Sequence, residues 1–364
     1  MGRARWIVAA LMAGSLLTGV VEARVLKTNT QKALVPLSEI ISGGPPPDGI
    51  PAIDHPKFVT PEGAAEWIKS QEPVLAFEWG GDARAYPLQI MIWHEIVNDV
   101  VGGKPVTVTY CPLCNSALVF ERTLDGKVYD FGTSGKLYKS DLVMYDRQTH
   151  SLWAQMEGRA IVGDLAGTRL RWLPANMLAF SEWRRLHPDG QVLSRETGHR
   201  RQYGWNPYQG YDRPGQHPFL FAGRVDDRLQ PMERVVGVRV GEAAKAYSYS
   251  LLARDRVVSD TVGGRRLVVF HQPGTVSALD KGVIADSRDV GATGVYEPVV
   301  DGRALTFEAV EGGFRDRETS SLWGVLGKAV KGPLAGKALP KVPHMDAFWF
   351  AWAAFNPETQ LARE

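Results

Sequence analysis

Apolar positions along the chain fall in short runs separated by turn residues, not in long helical stripes. The stretches "VLAFEWGGDARAYPL" and "KPVTVTYCPLCNSALVFERTLDGKVYDFG" are rich in β-branched and aromatic residues and read as strands, with Asp125-Gly126 marking a hairpin. "PEGAAEWIKS" reads as a short helix with Pro61 in its first turn, and "NMLAFSEWRRLHP" as another capped by Asn176. Ser42 to Pro56, "SGGPPPDGIPAIDHP", can form only loop or extended chain. The pattern predicts an α+β, β-rich fold of mainly antiparallel sheets with short helices.

The pattern also repeats. "DARAYPLQIMIWHEIVNDVVGGKPVTVTYCPLCNSA" aligns without a gap on "AAKAYSYSLLARDRVVSDTVGGRRLVVFHQPGTVSA", from Asp82/Ala243 to Ala117/Ala278. "YDRQTHSLW" from Tyr145 matches "RDRETSSLW" from Arg315, and "GRAIVGDLAGTRL" from Gly158 matches "GKAVKGPLAGKAL" from Gly327. "WRRLHP" from Trp183 matches "WAAFNP" from Trp352. Two tandem copies of one unit are expected, packed about a pseudo-twofold axis, over 72–195 and 232–364. An extended segment with a short helix, 24–71, precedes them. A connector rich in Tyr, Gly and Pro, 196–231, joins them, and its length predicts a packed, covering role.

The repeat sorts residues by role. Tyr86/Tyr247, Asp99/Asp260, the Gly pairs at 102–103 and 263–264, and the box Asp-Arg-x-Thr-x-Ser-Leu-Trp at 146–153 and 316–323 occur in both copies and are expected to serve the fold. In that box Asp and Thr should satisfy a turn backbone, and Trp should fill the core. Residues capable of chemistry that stand in the first copy alone are better site candidates. His94, Glu95, Cys111 and Cys114 face Asp255, Arg256, Gln272 and Thr275 in the alignment.

The opening "MGRARWIVAALMAGSLLTGVVEA" has basic residues, then an apolar stretch, then a small-residue cleavage pattern. A signal peptide over 1–23 is expected, with a periplasmic or secreted mature chain starting at Arg24 and no stable membrane insertion. The 364 residues carry a formal net charge of +2 with no basic cluster, so nucleic acid is not an expected partner.

Export sharpens the question posed by the two cysteines, which lie in "TYCPLCNS". An oxidising compartment converts neighbouring thiols to a disulfide unless a metal or a reductant protects them. The strand–turn–strand setting aims both sulfurs at one point, similar to a rubredoxin or zinc-ribbon knuckle. Such sites need two knuckles for four sulfurs, and this chain has one. His94 is the expected third ligand, with Met144 and His150 further candidates. Thiolates with an imidazole suit copper, with zinc the alternative. Glu95 is the candidate catalytic residue, as a general base or as a carboxylate orienting His94. Tyr203, Tyr208 and Tyr211 with Arg200 and Arg201 are candidates to line a pocket, whose small-molecule substrate stays unnamed. Two other readings remain open: a thiol–disulfide redox pair, and an interaction module stiffened by a structural disulfide.

The strings "AYPLQIMIWHEIVNDVVGGKPVTVTYCPLCNSALVF", "FGTSGKLYKSDLVMYDRQTHSLWAQ", "GDLAGTRL" and "WRRLHP" resemble a bacterial family catalogued as domain-of-unknown-function family 3179. The resemblance implies a shared constellation at His94, Glu95, Cys111 and Cys114 and no particular reaction. The family pattern has Gly after the second cysteine, where this chain has Asn115.

Overall fold

The computed structural model describes residues 25–362, so the expected leader and cleavage point lie outside the described residues. The described chain is β-rich, with mainly antiparallel sheets and short helices, as the hydrophobic pattern predicts. Pro73–Trp79 and Asp82–Pro87 form a hairpin that leads directly into the helix Leu88–His94. Ile96–Val101, Lys104–Cys111 and Ser116–Glu121 follow as an antiparallel meander, with Arg171–Leu173 on its edge. A further sheet runs Ile40–Ser42, Phe131–Tyr138, Asp141–Asp146, Leu152–Ala154 and Arg159–Val162.

The later half has the same order of elements. Arg234–Val240, Ala243–Ser248, the helix Tyr249–Asp255, Val257–Val262 and Arg265–Gln272 each begin and end 161 residues after their counterparts. The parallel pairing of Gln191 with Arg84 recurs as that of Gln360 with Lys245. The halves also meet reciprocally. His344–Phe348 lies against Ser116–Glu121, and Asn176–Ala179 lies against Ala292–Tyr296.

Two expectations need correction. Asn176 does not cap a helix: Asn176–Ala179 is a strand paired with Pro73 to Ala76, and the helix is Phe180–Leu186 with Ala179 at its cap. Sheet pairing has overridden the local capping signal, and the Asn176 side chain instead donates to the Thr293 carbonyl at 3.1 Å. The gapless alignment also ceases to be structural after Gln272. Cys111 pairs with Ser116 across a short turn, whereas Gln272 pairs with Ala292 across a much longer loop. Thr275 lies in that loop, tied by its backbone N–H to Asp289, and so does not occupy the place that Cys114 takes.

The residues present in both halves serve the frame. Tyr86 donates to Asp99 at 2.6 Å and Tyr247 to Asp260 at 2.9 Å. In the shared box Asp146 accepts from the Thr149 N–H at 2.6 Å and from Trp153 Nε1 at 3.0 Å. Asp316 does the same for Thr319 and Trp323, at 2.6 and 2.9 Å. Both indoles are fully buried, and each packs edge-on to a phenylalanine, Phe131 or Phe307.

Trp153→Ala and Trp323→Ala should therefore each destabilise the fold by about 3–5 kcal/mol, because a large cavity opens and a buried carboxylate loses one of its donors. Denaturant unfolding measures this; a loss below about 1 kcal/mol in either variant contradicts the structural role assigned to the box.

Candidate functional site

The cysteine turn is held from three directions. Its backbone closes where the Asn115 N–H donates to the Pro112 carbonyl at 3.3 Å. Asn115 sits in the left-handed region at φ 52°, which Gly or Asn adopts most readily. On the flanking strands Gln155 is fully buried and ties Thr109 to Ser116, each at 2.8 Å. From the later half, the Phe348 N–H donates to the Cys114 carbonyl at 2.8 Å.

Both cysteines are buried and their thiols are free. Cys114 Sγ lies 3.5 Å from the Ser140 carbonyl. The ligand atoms of Cys111, Cys114 and Asp141 all lie within 4.8 Å of one another. Asp141 is completely buried; one carboxylate oxygen accepts from the Met156 N–H at 3.0 Å, and the other, Oδ1, has no hydrogen-bond partner. Burial drives the Asp141 carboxyl well above the usual carboxylate range, against the pull of the Met156 N–H. Burial also pushes the Cys114 thiol far up, helped by the Cys111 sulfur and by the charges of Asp141 and Glu95.

Glu95 borders this group, and its carboxyl influences both Cys114 and Asp141. It caps the helix Leu88–His94 in the left-handed conformation, at φ 59°, and its backbone carbonyl accepts from the Tyr110 N–H at 2.8 Å. The reversal at Glu95 separates two adjacent side chains. Glu95 lines a small cavity beside the cysteine turn, while His94 points to the connector.

His94 is therefore not brought to the cysteines' ligand group. Its Nδ1 lies 2.7 Å from the Pro51 carbonyl, which can only accept, so Nδ1 carries the proton. Nε2 then accepts from the Tyr203 hydroxyl at 2.7 Å. Both ring nitrogens are thus engaged, and burial lowers the His94 pKa to about 4, leaving a neutral imidazole at neutral pH. Met144 is a core residue, and His150 is half-buried, with Nδ1 accepting from the Lys27 N–H at 2.8 Å. Asp141 is the residue that sequence comparison missed. An acid, Glu311, stands five residues before Asp316 as Asp141 does before Asp146, so a search for chemistry confined to one copy passes over it.

The connector covers the turn. Tyr211 donates to the Leu113 carbonyl at 3.1 Å and accepts from the Phe219 N–H at 3.2 Å. Ser140 donates to the Phe219 carbonyl at 2.5 Å. Tyr208 and Tyr211 line a hollow of about 430 Å³ over Leu113, as expected of pocket residues, whereas Tyr203 goes to His94 and Arg200 and Arg201 are exposed. Asp212 anchors the connector to the later half: it is fully buried and paired with Arg234 and Arg288, each at 2.9 Å.

A family model described as protein of unknown function, DUF3179, matches residues 47–359, and the chain belongs to that family. No curated protein and no solved structure matches the chain.

Burial alone raises the Glu95 carboxyl from its ordinary 4.5 to about 8. Between those values the folded, metal-free protein binds more protons than the unfolded chain, so its stability falls as pH rises through that window. Unfolding of the reduced, metal-free protein should show a loss on the order of a few kcal/mol from about pH 5 to 8. Glu95→Gln should flatten that slope; equal slopes in the two proteins contradict the burial argument.

Proposed function

We propose that the chain is an exported metal-binding protein in which Cys111, Cys114 and Asp141 hold one transition-metal ion. The supporting observation is the convergence of two buried thiols and a buried carboxylate whose Oδ1 lacks any partner. An unpartnered polar atom in such a place costs free energy that a bound cation recovers. The ligand set differs from the expected two sulfurs and an imidazole. Replacing imidazole by carboxylate moves the preference from copper toward zinc, since carboxylate is the harder donor. Three protein ligands leave one tetrahedral position for water or substrate, the arrangement of catalytic rather than structural zinc. A bound ion there would act as a Lewis acid or lower the pKa of a bound water.

The redox reading has less support. A reactive thiol needs a lowered pKa and access, whereas Cys114 is fully buried with its pKa pushed up, in a turn between strands and not at a helix start. The later half fits the same proposal as a duplicate that kept the frame and lost the site. Gln272 stands at the end of the strand where Cys111 stands in the first half, and a long loop replaces the cysteine turn.

Reduced protein dialysed against Zn(II) or Cu(I) and then analysed for metal should retain one equivalent, with zinc held more tightly. Cys111→Ser, Cys114→Ser and Asp141→Ala should each weaken binding by at least about 100-fold, more than is usual for residues that only support a ligand. His94→Ala should bind as wild type does. Wild type without metal after reduction overturns the proposal. Loss in His94→Ala with retention in Asp141→Ala restores the imidazole as the third ligand.

A further inference from the structure

Apart from the cysteine cluster, the first half carries a hollow of about 540 Å³ between the segment Glu62 to Ser70 and the helix Phe180–Leu186. Ser181, Arg184 and Arg185 stand at spacing i, i+3 and i+4, so they share one face of that helix. The Ser181 N–H donates to the Ser70 carbonyl at 2.9 Å, which sets Lys69 and Ser70 beside this face. Five side chains that donate hydrogen bonds thereby border one space. Arg185 is held by Glu182 at 2.7 Å. The Lys69 ammonium and the two serine hydroxyls make no hydrogen bond or ion pair among the described residues. Arg184 meets Glu62 at 3.5 Å, and the two side chains of that pair are 42% and 65% exposed. A surface pair of this kind contributes little, which leaves the guanidinium available to a stronger partner.

The later half shows what the frame itself requires here. The Trp349 and Phe350 N–H groups donate to the Glu233 and Pro231 carbonyls at 2.8 and 2.9 Å, as those of Phe180 and Ser181 donate to Glu72 and Ser70 at 2.9 Å each. Pro231, Phe350, Ala353 and Ala354 therefore stand where Ser70, Ser181, Arg184 and Arg185 stand in the first half. The connector covers that later face: Phe221 packs on Phe350 with ring centres 5.2 Å apart, and the Asp226 carbonyl accepts from Trp349 Nε1 at 3.0 Å. Apolar residues thus satisfy the frame at these positions. The first half leaves the corresponding face open and gathers hydroxyls and guanidinium groups on it.

We infer that this hollow binds a small phosphate monoester, with the phosphate group on Lys69, Ser70, Ser181 and Arg184. A monoester phosphate carries about 1.5 to 2 negative charges at neutral pH and offers three strong acceptor oxygens. The lining sets three cationic side chains against the single carboxylate of Glu62, which matches that charge. Four available donor groups suit three oxygens, each able to accept more than once, better than the two oxygens of a carboxylate. A phosphate alone does not fill about 540 Å³, so the organic part of the ester has room beside Ala65 and Pro188.

Methyl phosphate, inorganic phosphate and acetate are titrated calorimetrically into the full chain at fixed ionic strength, with a chelator present so that no metal contributes. Methyl phosphate should bind saturably and at least as tightly as inorganic phosphate, and acetate should bind about 10-fold more weakly or worse. Lys69→Ala and Arg184→Ala should each weaken methyl phosphate by about 10-fold or more, the effect of losing a hydrogen bond to a charged group. Glu62→Gln should tighten it by about 2–5-fold, because a competing carboxylate is removed. Thermal unfolding establishes that each variant is folded. Absence of saturable methyl phosphate binding in wild type overturns the inference, as does unchanged binding in folded Lys69→Ala and Arg184→Ala. Acetate bound as tightly as methyl phosphate overturns the choice of phosphate, and inorganic phosphate bound without methyl phosphate overturns the choice of an ester. If either alanine variant does not fold, Glu62→Gln decides: binding that is unchanged or weaker there overturns the site.

Discussion

Burying ionisable groups without enough partners is the constraint on which the rest of this molecule turns. Cys111, Cys114, Asp141 and Glu95 are all less than a tenth exposed, and the partners of their side chains are few: the Ser140 carbonyl near the Cys114 sulfur, the other cysteine, and the Met156 and Leu142 N–H groups at Asp141. Each carboxyl alone, left charged in such a place, would cost several kcal/mol. A fold tolerates that only if the groups stay protonated or if something bound to them supplies the missing interactions. The raised pKa values of Cys114, Asp141 and Glu95 describe the first state, and a bound cation describes the second.

The surrounding architecture keeps these groups in place and keeps water away. The meander carrying Cys111 is backed by the strand His344–Phe348 of the later half, which bonds directly to the Cys114 carbonyl. The connector closes the other side through Tyr208, Tyr211 and Phe219, and Asp212 fixes it by ion pairs with Arg234 and Arg288. The later half thus contributes contacts to the cysteine turn and to the connector that covers it. Its own cysteine-free turn position is taken up by a loop, and its Arg234 serves the connector.

Much of this was legible in the sequence because it rests on local pattern. Strand positions, the Asp125-Gly126 hairpin, and the turn between the cysteines follow from residue type and spacing. The Asp–Thr–Trp box was legible because two copies of it stand in one chain. The grouping of Cys111, Cys114 and Asp141 was legible only in part. Cys111 and Cys114 announce themselves by spacing, but Asp141 reaches them across a different sheet, and nothing in the intervening residues encodes that approach. The surroundings of His94 were not legible for a different reason. His94 is next to Glu95 in sequence, yet the left-handed residue at the helix end turns the two side chains to different surroundings. Asn176 likewise carried a capping signal that pairing with Pro73–Trp79 overrode.

An ion held as proposed would be surrounded by the sulfurs of Cys111 and Cys114 and by a carboxylate oxygen of Asp141. X-ray absorption at the metal edge of the reconstituted protein reads this directly. The account predicts two sulfur scatterers at about 2.3 Å and oxygen scatterers at about 2.0–2.2 Å, with no imidazole signature. A shell containing an imidazole and no carboxylate oxygen, or one without sulfur, would contradict it.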